Sequence, residues 1–431
     1  MNTIPFKQKI ICLISGIFLL QFSFNVLAHG ESTPPSTPTS TSPLTSNKYE
    51  NKAQTLIIRA GAIFDGTTFL EGKHDILIKK GKITKIGPIN TIKVNGARVI
   101  KIPEGTILPG FIDMHTHHLN NNVPALRILQ HGVTTARDLG SAEPTGAVIA
   151  KKPYQLRQFY SGPILQAPGG YPEVVFSGSG VEVSGDSDVR AKVNELFTLG
   201  ASVIAVSLED GTASGEPWQW HMPTSLPPWP TLSDADLDSI VDEAHKIGLK
   251  VTAYFGNNAG AQRALTAGVD EWAHMPCELL TGSVIDDAGS KKIAIDTTID
   301  TFVQCPGVHE NSKLLLGAGA QLFYGTDMGH LDITHGNDAN EIHMLVHAGL
   351  YNNGFDFQAA LRDALIAATS APATYLGLLA PLGLGTIAIN APADIVVIGS
   401  DRLKLNFMKE LEFPRLVVKN GYVVINRLAG E

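Results

Sequence analysis

The stretch Ile107-Leu108-Pro109-Gly110-Phe111-Ile112-Asp113-Met114-His115-Thr116-His117-His118 runs from apolar residues into a His-x-His pair. Alternate residues of an extended strand share a face, so His115 and His117 are expected to project together from its end. Two neutral imidazoles placed this way suit a zinc-like divalent ion. His-x-His by itself is an incidental pattern in many chains, and its meaning depends on the rest of the sequence. Fourteen histidines stand against three cysteines, which excludes a disulfide-built scaffold and a multi-cysteine zinc or iron–sulfur site. Of the cysteines outside the N-terminal apolar run, Cys277 and Cys305 could pair in an oxidising compartment, but spacing alone does not establish a pair and they are read as free.

Positioning such a pair takes a large folded frame, and the composition allows one. The 431 residues are 44% hydrophobic and 17% charged, which excludes a disordered or fibrous chain. A net charge of −8 without a long basic run argues against nucleic acid as a partner and leaves small molecules. From Thr55 the chain reads as short β-branched runs separated by glycine turns, and the C-terminal stretches GTIAINAPADIVVIGS and PRLVVKNGYVV repeat that texture. Between about residues 106 and 380, short apolar runs such as VIAVS, KVTAYF and LFYGTD alternate with helical segments. One helix is expected to open at a capping box, Ser233-Asp234-Ala235-Asp236, and to close at Gly248.

This alternation predicts an α/β chain: a (β/α)8 barrel over residues 106–384, beside a small composite β-sandwich built from residues 51–105 and 385–431. Residues 1–28 read as a signal peptide, with Lys7 and Lys9 ahead of an apolar run and Val26-Leu27-Ala28 as the cleavage flank. Residues 29–50, dense in Ser, Thr and Pro, read as a linker. The expectation is an exported protein, periplasmic or secreted, with no membrane contact after cleavage and a possible homo-oligomer.

The His-x-His stretch resembles the first-strand motif of the amidohydrolase superfamily of metal-dependent hydrolases. The likeness continues in order. Gly132-Val133-Thr134-Thr135-Ala136-Arg137-Asp138-Leu139-Gly140 is similar to the second-strand segment. Glu243-Ala244-His245-Lys246-Ile247-Gly248 with Lys250-Val251-Thr252-Ala253 resembles the helix and strand before the third metal histidine. Ala267-Gly268-Val269-Asp270-Glu271-Trp272-Ala273-His274 matches the next strand, and Gly325-Thr326-Asp327 looks like the eighth-strand aspartate. Ala393-Asp394-Ile395-Val396 is similar to the closing signature. The texture is that of imidazolonepropionase-like and prolidase-like members.

Two departures shape the expected chemistry. Ala205 stands where two-metal members carry a carbamylated lysine, and Tyr254 stands where the fifth-strand histidine is expected. Tyr171 likewise occupies a frequent histidine position. The resemblance therefore implies one divalent ion, zinc first, on His115, His117 and Asp327, with His274 contacting the metal or orienting the substrate carbonyl. Asp327 would also be the catalytic base. Glu209, just past the fourth strand, and Tyr254 are possible additional ligands. Their alternatives are a solvated loop acid and a packed, hydrogen-bonded phenol. His118 is expected on the far side of its strand and His245 on a helix surface. His330, His335 and His343 could line the mouth. Residues 211–230 hold Trp218, Trp220 and Trp229, either a lid or rim packing.

The implied reaction is hydrolysis of an amide, lactam, N-acyl amino acid or dipeptide. The rival readings are a catalytically degenerate barrel that binds a small ligand or partner, and a lactonase or esterase.

Overall fold

The computed structural model describes residues 55–117, 119, 125–141, 155–329, 335–400 and 407–428. The expected signal peptide and linker, and His118 and His330, lie outside these residues.

The first part is strand-rich: β1 (Leu56–Phe64), β2 (Phe69–Leu70), β3 (His74–Lys79), β4 (Lys82–Pro88) and β5 (Arg98–Pro109). Leu56, Ile58 and Ala60 alternate onto one face of β1 and meet Ile76, Ile78 and Ile100 in an aliphatic core. The β3–β4 hairpin turns on Lys80-Gly81, both at positive φ (49° and 80°), as a two-residue primed turn requires. A single residue, Gly110, separates β5 from the next strand. A Cβ there would sit 2.3 Å from the Thr134 side chain, so only glycine permits the close approach.

The middle of the chain alternates strand and helix. Its strands are β6 (Phe111–Thr116), β7 (Val133–Asp138), β8 (Arg157–Tyr160), β9 (Ile164–Gln166), β10 (Gly180–Glu182), β11 (Ile204–Ser207), β12 (Val251–Tyr254), β13 (Glu271–Trp272), β14 (Ala294–Asp296) and β15 (Gln321–Phe323). The helices are α1 (Ala125–Gln130), α2 (Asp186–Leu199), α3 (Asp234–Lys246), α4 (Asn258–Ala267), α5 (Gly282–Lys291), α6 (Val308–Ala318), α7 (Ala339–Asn352), α8 (Phe357–Ala367), α9 (Ser370–Tyr375) and α10 (Phe407–Glu412). All strand pairs here are parallel, in two ladders, β6-β7-β8 and β10-β9-β11-β12-β13-β14-β15. Single hydrogen bonds extend beyond them. Ser202 N donates to Tyr160 O (2.8 Å), and Met114 N and His117 N donate to Tyr324 O (3.0 Å) and Met328 O (2.7 Å). The first strand thus lies against the last.

Helix α3 opens at the expected box: Asp236 N donates to Ser233 Oγ at 3.1 Å, and Gly248 follows at φ 83°. Leu237, Ile240, Val241 and Ala244 form its buried face.

The chain's end returns to its beginning. β16 (Ile395–Ile398) pairs antiparallel with β5, and β17 (Leu416–Lys419) and β18 (Tyr422–Asn426) follow. Both ends therefore share one eight-stranded sheet, ordered β18-β17-β16-β5-β1-β3-β4 with β2 on β1. Asp394, buried at its edge, takes Lys419 Nζ at 2.8 Å and Arg157 Nη1 of β8 at 3.1 Å. Among the described residues no helix is long and apolar enough to cross a membrane.

One expectation is corrected. Cys277 and Cys305, read as free, form a disulfide with Cα atoms 4.7 Å apart. The loops after β13 and β14 run side by side, Gly307 N donating to Cys277 O at 2.8 Å, so cysteines 28 positions apart become neighbours. Spacing carries no trace of that adjacency.

Candidate metal centre

Strand β6 delivers His115 at its end and His117 one residue beyond, both buried. His115 Nδ1 lies 2.5 Å from Ala273 O. A carbonyl only accepts, so Nδ1 carries the proton and Nε2 presents a lone pair. Burial, then the charge of His274, hold the His115 imidazole well below its ordinary value and keep it neutral. Its Nε2 lies 3.1 Å from His117 Nε2, 3.5 Å from Asp327 Oδ1 and 3.2 Å from Tyr254 Oη. His117 Nε2 is 3.0 Å from Asp327 Oδ1. Burial disfavours the charged form of His117, but the hydrogen bond and charge of Asp327 outweigh it and raise its value.

Asp327 reaches this point through an unusual backbone. Its φ is +61°, a left-handed conformation costly for a residue with a side chain, and its N–H donates to His115 O at 2.9 Å. The turn is held by Asp113. Thr326 Oγ1 donates to Asp113 Oδ2 at 2.6 Å, and the N–H groups of His115 and Thr326 donate to Oδ1. One carboxyl thus ties β6 to the segment carrying Asp327. Burial pushes Asp113 up to about 7.

His274, two residues past β13, stacks on His115 (centroids 4.3 Å) and packs against Phe302 (4.3 Å). Its Nδ1 lies 2.9 Å from Thr298 Oγ1. Ligand atoms of His115, His274 and Asp327 fall within 4.8 Å of one another. The structure therefore brings together His115, His117, His274 and Asp327, from strand ends that sequence separates by up to 212 positions. The donor set fits a divalent ion: two imidazole nitrogens and a carboxylate oxygen turn lone pairs toward one point, which needs a cation or protons between them.

The two further candidates, Tyr254 and Glu209, have other hydrogen-bond partners. The Tyr254 hydroxyl donates to Leu139 O, and burial followed by the charge of Asp327 raises its phenol well above the ordinary value. It borders the centre as a neutral phenol. Its ring packs with Ala205, Val203 and Leu139, so the wall that a lysine would occupy is apolar. Glu209 is buried but committed to its own loop: Gly211 N donates to it at 2.6 Å, and it shares a hydrogen bond with Glu216. Burial lifts Glu209 to about 7 and Glu216 well above its ordinary value, so the two carboxyls share a proton. The partners that hold Glu209 lie in its own loop, a geometry that sequence does not encode visibly.

The tryptophan loop divides. Trp218 and Trp229 are buried against each other (4.5 Å), and Trp229 stacks on Tyr171 (6.0 Å), which faces Tyr254 (6.5 Å). Trp220 is 80% exposed. His245 is a surface residue 2.8 Å from Asp270, as expected. His335 is half-buried, and His343 sits exposed on α7.

Beneath the centre lies a buried charge network. Arg137 donates to Glu271 (Nη1, 3.1 Å), Asp296 (Nη2, 2.8 Å) and, through Nε, Met114 O (2.9 Å). Neither this network nor the Asp113 clamp follows from sequence reasoning. The available signal is a charged residue inside a strand, Asp113 in β6 and Arg137 in β7.

The chain matches the amidohydrolase family over residues 106–424. It is 39% identical to the dihydroorotase of Elusimicrobium minutum (strain Pei191) over 61 residues, a match that spans 14% of this chain and 14% of that enzyme's length. Among solved structures, it is similar to an amidohydrolase (TM-score 0.68, 23% identity, covering 87% of this chain and 100% of the other). It is also similar to a Xaa-Pro dipeptidase with methionine bound in its active site (TM-score 0.67, 20% identity, 86% and 99%). These neighbours share a TIM-like barrel with an added domain, the architecture into which the parallel ladders and the two-ended sheet fall. The chain belongs to the amidohydrolase family.

Proposed function

We propose that the protein is an exported, single-metal amidohydrolase that hydrolyses a C–N bond in an N-acyl amino acid, a dipeptide or a cyclic amide. Its barrel is a closed (β/α)8 ring over residues 106–384, flanked by the two-ended β domain as a sandwich. The observation that carries the reading is the convergence of His115 Nε2, His117 Nε2 and Asp327 Oδ1 at 3.0–3.5 Å. His115, His117 and Asp327 would hold the ion, zinc by donor type, with His274 at its edge. The ion supplies Lewis acidity, polarising the substrate carbonyl and acidifying water toward a pKa of ~7.

The remaining work falls to the chain. Asp327 accepts the proton from the attacking water and returns it to the leaving nitrogen. Its left-handed backbone, fixed by Thr326 and Asp113, aims the carboxylate at the imidazoles rather than along the strand. His274, packed against His115 and Phe302 and bonded to Thr298, has one orientation in which to meet the carbonyl oxygen. Export to an oxidising compartment, the periplasm or beyond, is supported by the Cys277–Cys305 disulfide.

The test is metal content per chain of the purified protein and of His115→Ala, followed by a screen of N-acyl amino acids, dipeptides, lactams and lactones. One equivalent lost in the variant, with amide turnover abolished by Asp327→Asn, is expected. Turnover of lactones alone would make it an esterase. Absence of metal after zinc reconstitution would overturn the hydrolase in favour of a binding protein, a reading that the Ala205–Tyr254 packing favours.

A further inference from the structure

Helix α7 carries a pair of histidines that the barrel centre does not use. His343 and His347 stand one turn apart, with ring centroids 4.8 Å from each other at 77°. Ile342, Leu345, Val346 and Ala348 form the helix's buried face, which leaves His343 exposed and His347 half-buried beside it. Packing therefore demands neither imidazole. Histidines at i and i+4 direct their rings to one side of a helix, the spacing that lets two of them share one ion.

Other titratable groups stand nearby. Helix α6 packs alongside α7 and presents His309, exposed near its start and within electrostatic reach of His347. The Asp300 carboxylate lies within electrostatic reach of His343. Lys313, which acts on His309, is paired with Glu310 at 3.2 Å and lies over the Tyr351 ring at 4.4 Å. Partial burial, then the neighbouring charges, hold His343 and His309 below the ordinary imidazole value. Both imidazoles are therefore neutral near pH 7, as ligands must be.

We propose that His343 and His347 form a surface site for an imidazole-seeking divalent cation, separate from the barrel centre. Nitrogen donors with open positions select zinc or copper(II) over magnesium or calcium, and copper(II) most strongly.

The test uses the full chain dialysed against buffered free zinc, with bound zinc counted per chain. The wild type is expected to hold one equivalent more than His343→Ala/His347→Ala. His115→Ala should lose the barrel equivalent and keep the surface one, so failure at one site is read independently of the other. Copper(II) added to the zinc-filled protein should give an electron paramagnetic resonance signal with nitrogen hyperfine structure, lost in the double variant. Equal zinc counts in the wild type and the double variant, or a copper signal that survives the double substitution, would overturn the proposal. Both substitutions are on the outer face of α7, and unchanged circular dichroism certifies that the variants fold.

Discussion

Replacing Arg137 with methionine should destabilise the protein far more than neutralising one of its partners. Arg137 is fully buried, with its guanidinium against Glu271 and Asp296 and its Nε on Met114 O. Burial, then the charge of Glu271, raises Asp296 well above its ordinary value, so the network contains one cation, one anion and one neutral carboxyl. Arg137→Met leaves the Glu271 carboxylate buried without a counter-charge and the Met114 carbonyl without its donor. Removing one member of a buried ion pair costs about 3–5 kcal/mol, a large share of the ~5–15 kcal/mol a folded protein has. Asp296→Asn keeps shape and charge, because the native carboxyl is already neutral, and should cost about 1 kcal/mol or less.

The assay is urea unfolding followed by tryptophan fluorescence at pH 7. With a slope of about 3 kcal/mol per molar urea, Arg137→Met should lower the midpoint by roughly 1–2 M and Asp296→Asn by no more than about 0.3 M. Equal shifts would mean that Asp296 is charged in the folded protein, and the reasoning would fail. Because Met114 precedes His115, Arg137→Met should also weaken metal binding at the barrel centre.

Two other outcomes follow from buried groups. Glu341, bonded to Thr297 and to Asp300 N, is pushed by burial up to about 8. The unfolded chain gives up that proton near pH 4.5 while the folded chain retains it, so stability falls as pH rises between these values, by about 1.4 kcal/mol per pH unit. Glu341→Gln should remove one such increment from the slope of stability against pH between 5 and 7, and an unchanged slope would count against a protonated Glu341. Cys277→Ser/Cys305→Ser should cost about 2–4 kcal/mol, since the bond closes a loop between residues 28 positions apart. Thiol titration of the unreduced, denatured wild type should find neither of these two cysteines reactive.

Much of the fold was legible because it is local. The Ser233 capping box, the Lys80-Gly81 turn and the β-branched runs that become β1 and β3 are decided within a few residues, where hydrogen-bond geometry and local backbone preference act directly. The centre was legible in part for the same reason: the two-residue spacing of His115 and His117 places both on one face. Asp327 and His274 were located by the order of segments resembling the family, and the structure brings them to the same point.

By itself the sequence determined the strand–helix alternation, the turn positions, the imidazole pair and the absence of a lysine at Ala205. Tertiary structure decided what those residues meet. It paired Cys277 with Cys305, gave Glu209 to Glu216, set Asp113 to clamp Asp327, paired buried Arg137 with Glu271 and Asp296 and turned His343 outward beside His347. The physical reason is that a charge or a thiol has no preference for a sequence-distant partner until apolar burial brings the two strands together. Burial then makes an unpaired polar group costly, and the pairings become obligatory.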